Sequence, residues 1–297
     1  MTTHILRRTA MAACIAVLLA SSAVSSAGTP AAAADSDIDT DKRIATDFTN
    51  LAYNEKRPQQ AADRYLAPGL VQHDPALANG ARPWARATAS RLRQYPRLRE
   101  TVLRALAQDH LVVLHVLQKR TPADRGTAAF EVYRLDAGRI AEHWTLKQTV
   151  PARSANGHTL TDGTTESPWT QPEWLQHHTD DARDFTDLVF NQGRAQEAVG
   201  KYLAPDLVQH DPDIGDGPQA YLDFARSLPV RNSGDQLRIQ RIVADMKFVF
   251  VHSVIPSPRG PVAMGDLYRV DFNGKFAEHW SVIQQMPKRA ARGNAPN

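Results

Sequence analysis

The sequence predicts two α+β domains joined end to end, and three observations carry that prediction. The block Tyr65-Leu-Ala-Pro-Gly-Leu-Val-Gln-His-Asp-Pro75 returns as Tyr202-Leu-Ala-Pro-Asp-Leu-Val-Gln-His-Asp-Pro212 with a single difference. A second identity, Ala141-Glu-His-Trp144, returns as Ala277-Glu-His-Trp280, with a one-residue slip at Ala137-Gly138 against Phe272-Asn273-Gly274, where a hairpin turn tolerates an insertion. Within each copy the apolar period changes from helical to alternating, so helices come first and an antiparallel sheet follows. Two repeats are too few for a solenoid, so each copy is read as a globular domain with its own core.

The elements follow in order. Ile44, Phe48 and Leu51 fall at helical spacing, as do Phe185, Leu188 and Val189, so each copy opens on an amphipathic helix. A second helix fits Pro58 to Leu66 and Ala195 to Leu203, and a third fits Pro83 to Gln94 and Pro218 to Ser227, with proline near several helix starts. Leu111 to Leu117 and Phe248 to Val254 read as central strands. Thr127 to Leu135 with its counterpart comes next, and Arg139 to Val150 and Lys275 to Met286 close the two sheets. Arg153 to Thr170 is rich in Ser, Thr, Gly and Asn without periodicity and reads as linker. The resulting boundaries are 41–151 for the first domain, 152–172 for the linker and 173–287 for the second domain, with 288–297 as a disordered tail. Ala31 to Thr40 is likewise expected to be disordered.

Residues 1–34 have the layout of an export signal. Arg7-Arg8 is followed by an apolar stretch from Ala10 to Ala20 and by small residues ending at Ala34, so the mature protein is expected to be secreted. The apolar run is far shorter than the roughly 20 residues that span a bilayer, which excludes a membrane-embedded body. The only cysteine, Cys14, lies inside that run, leaving neither thiol nor disulfide to the mature chain. Removing residues 1–34 takes away two arginines and no acids, so 35 basic and 32 acidic residues become 33 and 32, a formal charge of +1. The basic balance is thus no argument for nucleic acid, and neither an aromatic basic stripe nor a phosphate-cradling glycine loop is present.

Histidine placement is the sharpest chemical clue, because three pairs coincide between the copies: His73 with His210, His115 with His252, and His143 with His279. His115 shares its strand face with Leu111, Val113 and Leu117, and His252 with Phe248, Phe250 and Val254, so both read either as core histidines or as pocket walls. Burial is expected to lower their pKa and keep them neutral. His73-Asp74-Pro75 and its twin sit at a chain reversal, where Asp74 caps the turn and the histidine is more open to a pocket role. Alternation puts His143 with Thr145 on one strand face and Glu142 with Trp144 on the other. Trp144 and Trp280 read equally as core or as ligand-stacking residues. Glu131 and Asp266, acids inside apolar strands, are candidate cavity carboxylates. The three histidines of a copy have no short-spaced pair, so no metal is expected on them. No nucleophile elbow is present either.

The series helix, Tyr-Leu-x-x-x-Leu-Val-Gln-His-Asp-Pro, third helix, histidine-bearing strand, Tyr-Arg-x-Asp, Glu-His-Trp and a glutamine four residues on (Gln148, Gln284) resembles the SnoaL-like polyketide cyclase family of the nuclear transport factor 2-like superfamily. The resemblance implies a cone in each copy, a bent antiparallel sheet wrapped around three helices with an apolar pocket inside. It also implies cofactor-free, metal-free acid–base chemistry of the aldol, cyclase or isomerase kind on a small apolar or carbonyl-containing molecule. His73, His115, Glu131 and His143, with His210, His252, Asp266 and His279, match the family pattern as catalytic candidates. Trp144, Trp280, Tyr133 and Tyr268 are the ligand-binding candidates. Similar sequences commonly carry aspartate directly after Glu-His-Trp, where Thr145 and Ser281 stand here, so a pocket that binds without reacting is carried as the alternative. Each set of three histidines is expected to converge on one cavity, and the two copies are expected to pair sheet to sheet as an intrachain pseudo-dimer.

Overall fold

In the computed structural model, which describes residues 31–166, 175–229, 234–245 and 247–288, the two copies are two α+β cones with the same strand order. The first consists of α1 (Ala31–Thr49), a π-type turn at Asn50–Asn54, α2 (Pro58–Tyr65), β1 (Leu66–Gln72), α3 (Ala81–Gln94), β2 (Arg99–Gln108), β3 (Leu111–Lys119), β4 (Thr127–Asp136) and β5 (Arg139–Thr149). The second repeats it as α4 (Leu175–Phe190), α5 (Ala195–Tyr202), β6 (Leu203–Gln209), α6 (Gly217–Ser227), β7 (Arg238–Ala244), β8 (Phe248–Ile255), β9 (Val262–Val270) and β10 (Phe276–Gln285). The sheets run β1-β5-β4-β3-β2 and β6-β10-β9-β8-β7. All neighbours are antiparallel except the edge strands β1 and β6, which lie parallel to β5 and β10.

The structure corrects several expectations. It adds the strands β1, β2, β6 and β7. Pro68-Gly69 and Pro205-Asp206 interrupt β1 and β6, which is tolerated only because these are edge strands whose register slips between Leu66 and Val71 and between Leu203 and Val208. In β2, arginine, leucine and alanine, good helix formers, mask an alternating burial pattern. Helix α1 begins at Ala31, inside the stretch expected to be disordered, and the run of alanines there supplies the highest helix propensity of any residue. The rest of the segment read as an export signal, and the tail beyond Lys288, lie outside the described residues. No helix among the described residues is long and apolar enough to cross a membrane.

Each cone fills its interior from its helices and the inner sheet face. In the first, Phe48, Trp84, Tyr65 and Tyr133 pack with Val112, Leu114 and Val116. In the second, Phe185, Tyr202, Tyr221 and Tyr268 pack with Val249 and Val251. A third core combines the outer faces of both sheets: Val113, Phe130, Val132, Trp144 and Leu146 meet Val243, Phe250, Leu267, Trp280 and Val282. Phe130 and Phe250 stand 4.9 Å apart there. Gly265 admits the Phe130 ring, since a Cβ at that position would lie 2.7 Å from it. The contacts are reciprocal: Gln284 Oε1 accepts from Lys147 N and Gln148 Oε1 from Ile283 N, both at 2.8 Å. These are the two glutamines that follow the Glu-His-Trp blocks.

The segment read as linker is an ordered strap along its described part. Ala155 N donates to Pro212 O, Asn156 Nδ2 to Gln209 O, and Thr164 N to Glu278 Oε1. Leu160 is fully buried in the shared core. Small polar residues, which look unstructured by composition, bind here largely through their backbone groups.

Candidate functional site

The alternation of β5 and β10 separates the histidines instead of gathering them. His143 points into the first cone, where Tyr133, its cross-strand partner, stacks on it at 4.9 Å. Its Nε2 lies 2.6 Å from Glu131 Oε2 and its Nδ1 3.0 Å from Gln72 Oε1. His73 belongs to the opposite face. It stacks on Trp144 at 4.3 Å and bonds Glu142 at 2.9 Å. His115 also faces away from the cone interior, into the shared core, with Nδ1 3.0 Å from Arg104 Nη1. The expected convergence of His73, His115 and His143 on one cavity therefore fails. Both faces of β3 are apolar, so the sequence leaves open which of them lines the cone.

The second copy repeats this division. His279 bonds Asp266 at 3.1 Å and Gln209 at 2.8 Å and stacks on Tyr268 at 4.6 Å. His210 stacks on Trp280, and His252 meets Arg241 through Nδ1. Arg104 lies 3.9 Å over the Trp280 ring and Arg241 4.0 Å over the Trp144 ring, so each repeat's arginine covers the other's tryptophan. Burial, reinforced by these arginines, pushes the His115 pKa well down and that of His252 to about 3, keeping both neutral as expected. The tryptophans thus serve the contact between repeats. Asp74 caps its turn, accepting from Ala76 N at 2.8 Å, and pairs with Lys147.

The strap makes the outer faces unequal. The His73 and Glu142 side chains are 16% and 24% exposed, whereas their counterparts His210 and Glu278 are 1% and 4% exposed beneath Asp162, Gly163 and Thr164. Burial alone would raise the Glu278 carboxyl, but hydrogen bonds from His210, Thr164 and Arg269 hold it down to about 2.

The tautomers of the inner pair can be derived. In the second cone Gln209 Oε1 accepts from the backbone N–H groups of His210 and Asp211, so its oxygen faces His279, whose Nδ1 must carry the proton. In the first cone His143 Nδ1 faces Gln72 Oε1 in the same way, which leaves its Nε2 to Glu131 Oε2. Thr145, paired with Glu131 across the strands, adds no ionisable group.

In the first cone a carboxyl on β2 joins this pair, where the second cone has Leu237. Glu100 on β2 is 3% exposed, and burial, with the charge of Glu131, raises its pKa to about 8. Gln118 donates to Glu100, and Arg91 donates to Gln118. Arg91 also lines a hollow of about 680 Å³ with Ser90, Tyr95, Arg120, Thr127 and Lys147. Tyr53 completes the group. Burial and the charges of Glu100 and Glu131 raise its phenol, so it stays protonated. The counterparts of Tyr53, Arg91, Glu100 and Gln118 in the second copy are Phe190, Leu228, Leu237 and Ile255. Leu237 holds the place of Glu100 structurally, since Asn191 brackets it through its backbone as Asn54 brackets Glu100. A search for residues shared by both copies misses Glu100. The signal that could find it is the opposite one, a polar set present in one copy and apolar in the other.

Residues 182–279 match the family model described as SnoaL-like domain. The second repeat is a SnoaL-like domain. The first shares its strand order and sequence blocks, so the chain carries the SnoaL-like fold in tandem. No curated protein matches. Among solved structures, a candidate ketosteroid isomerase from Kribbella flavida is 18% identical, covering 39% of this chain and 84% of its own, at a TM-score of 0.34. A candidate polyketide cyclase from Acidithiobacillus ferrooxidans is 18% identical over 37% of this chain and 88% of its own, with a TM-score of 0.32. TsrD from Streptomyces laurentii is 15% identical over 37% and 90%, also with a TM-score of 0.32. Each spans about one repeat, and at these scores they are resemblances that say nothing of activity.

Proposed function

We propose that the first SnoaL-like repeat is a cofactor-independent acid–base site that moves a carbon-bound proton of a small carbonyl compound, in the manner of an aldol cyclase or isomerase, within a secreted protein whose two repeats work as an intrachain pseudo-dimer. The observation that carries the reading is the buried Glu131–His143 pair beside Glu100. Two carboxyls in one cone, one hydrogen-bonded to an imidazole and the other protonated near neutral pH, supply a base and a hydrogen-bond donor without a metal. Glu131 takes the proton from carbon, His143 buffers its charge through the 2.6 Å contact, and Glu100 with Tyr53 donates to the oxygen that becomes negative. The hollow at Arg91 and Lys147 is the proposed entrance. Loss of the aspartate at Thr145 is compensated by Glu131 opposite it.

For the second repeat the binding reading is favoured, because Leu237 and Ile255 stand where Glu100 and Gln118 stand in the first. Exchange of carbon-bound hydrogen for deuterium, followed by NMR over a panel of small ketones and β-keto esters, tests the proposal on compounds that share only an acidic C–H beside a carbonyl. His143→Asn and Glu131→Gln are each expected to lower exchange by about 100-fold or more, and His279→Asn to leave it unchanged. Equal exchange in wild type and both first-repeat variants would refute the assignment.

A further inference from the structure

The strap and the second repeat's outer face bring together a group that the acid–base site does not use, with two of its members outside the repeated blocks. His158 and Asp162 on the strap meet His210 at the end of β6, and one ligand atom from each lies within 4.8 Å of the others. The two imidazoles are oriented alike between carboxylates, His210 at hydrogen-bond distance and His158 farther off. His210 presents Nδ1 to Asp162 at 2.8 Å and is backed at Nε2 by Glu278 at 3.3 Å. His158 presents Nδ1 to Asp162 at 3.9 Å and is backed at Nε2 by Asp216 at 3.7 Å. The rings are 5.2 Å apart.

A carboxylate behind one ring nitrogen fixes the proton there and leaves the other nitrogen's lone pair facing forward, the outer-shell pattern that orients metal-binding histidines. Here both forward nitrogens face the same carboxylate, Asp162. The three ligand atoms thus surround one point, beside which His210 is 1% exposed. A cation at that point can take a donor atom from each of them. We propose that His158, Asp162 and His210 bind a divalent transition-metal ion of the zinc class through two nitrogens and one carboxylate oxygen, clasping the strap to the second repeat, with Glu278 and Asp216 as positioning residues. The donor set suits zinc, and three protein ligands leave the fourth tetrahedral position to water or an outside ligand. The sequence expects no metal on the widely spaced His73, His115 and His143. His158 and Asp162, four residues apart, are instead a short-spaced pair in a segment whose composition reads as linker.

The test uses the full chain, stripped with a chelator and titrated with zinc chloride by calorimetry, with cobalt(II) as a spectroscopic probe of tetrahedral N/O coordination. One equivalent is expected to bind. His158→Ala and Asp162→Asn are each expected to weaken it by at least about 100-fold, and Glu278→Gln by about 10- to 100-fold, the range for outer-shell partners. The His158 side chain is 40% exposed, so its removal leaves the fold intact, which circular dichroism of the same samples checks. Wild-type protein that takes up no zinc would overturn the proposal. An equivalent of zinc retained at full affinity in either the His158 or the Asp162 variant would overturn it as well.

Discussion

Replacing Glu100 by glutamine tests the element that separates the two cones. The Glu100 carboxyl has its pKa raised from 4.5 to about 8 by burial and by the neighbouring charge of Glu131. Between those values the folded chain holds a proton that the unfolded chain has released, so stability falls as pH rises through this window and levels off above about 8. Each pH unit costs up to about 1.4 kcal/mol, and the whole window is on the order of 5 kcal/mol. Glutamine resembles the neutral acid in shape and cannot ionise, so the variant lacks this slope. Urea unfolding of wild type and Glu100→Gln, followed by tryptophan fluorescence from pH 5 to pH 8, reads this contribution together with its coupling to Glu131, because groups that do not interact with Glu100 cancel in the difference. The variant is expected to gain on wild type by roughly 3–4 kcal/mol across that range. A difference constant to within about 1 kcal/mol would show that Glu100 ionises normally and would remove the proposed donor at neutral pH.

Two further outcomes concern the contact between repeats. His252, with its pKa lowered to about 3, stays neutral in the fold while the unfolded chain takes up a proton below its ordinary value of 6.5, so its contribution is fully present above 6.5 and is lost as pH falls toward 3. His252→Asn is expected to unfold less readily than wild type, relative to neutral pH, when both are melted near pH 4.5, and identical acid sensitivity would contradict the burial argument. Leu160→Ala, at a fully buried position of the strap, is expected to cost about 2–5 kcal/mol in chemical denaturation, whereas a loss below about 0.5 kcal/mol would mean that the strap does not pack.

Much of the fold is legible in the sequence, for reasons that particular residues make clear. Leu111 to Leu117 and Phe248 to Val254 are β-branched and apolar enough to force central strands, and the duplicated blocks fix the repeat. The edge strands are hidden because Pro68 and Gly69 are signals of irregular chain, and only pairing with β5 makes Leu66–Gln72 a strand. The inner site is half legible. Glu131 and His143 stand out by residue type and position, and alternation places His143 opposite Glu142 and Trp144. Glu100 and Tyr53 do not stand out, since nothing local distinguishes a carboxyl that tertiary packing will bury from one that water will solvate. His73 and His115 attract attention through their recurrence, yet what the repetition retains in them is the contact between the two sheets.

A single tether joining two like halves cannot lie over both of two equivalent faces. Here it crosses the face that carries His210, Glu278 and Trp280, where Arg104 of the first repeat donates to the Asp162 and Thr164 carbonyls, each at 2.6 Å. Covalent fusion is thus itself a source of difference between the copies: one outer face acquires a roof and the other keeps its opening to water, whatever their sequences. Two separate chains pairing by the same surfaces would present both faces alike, so cleaving the strap would change the chemistry available on one side of the molecule and leave the other side as it was.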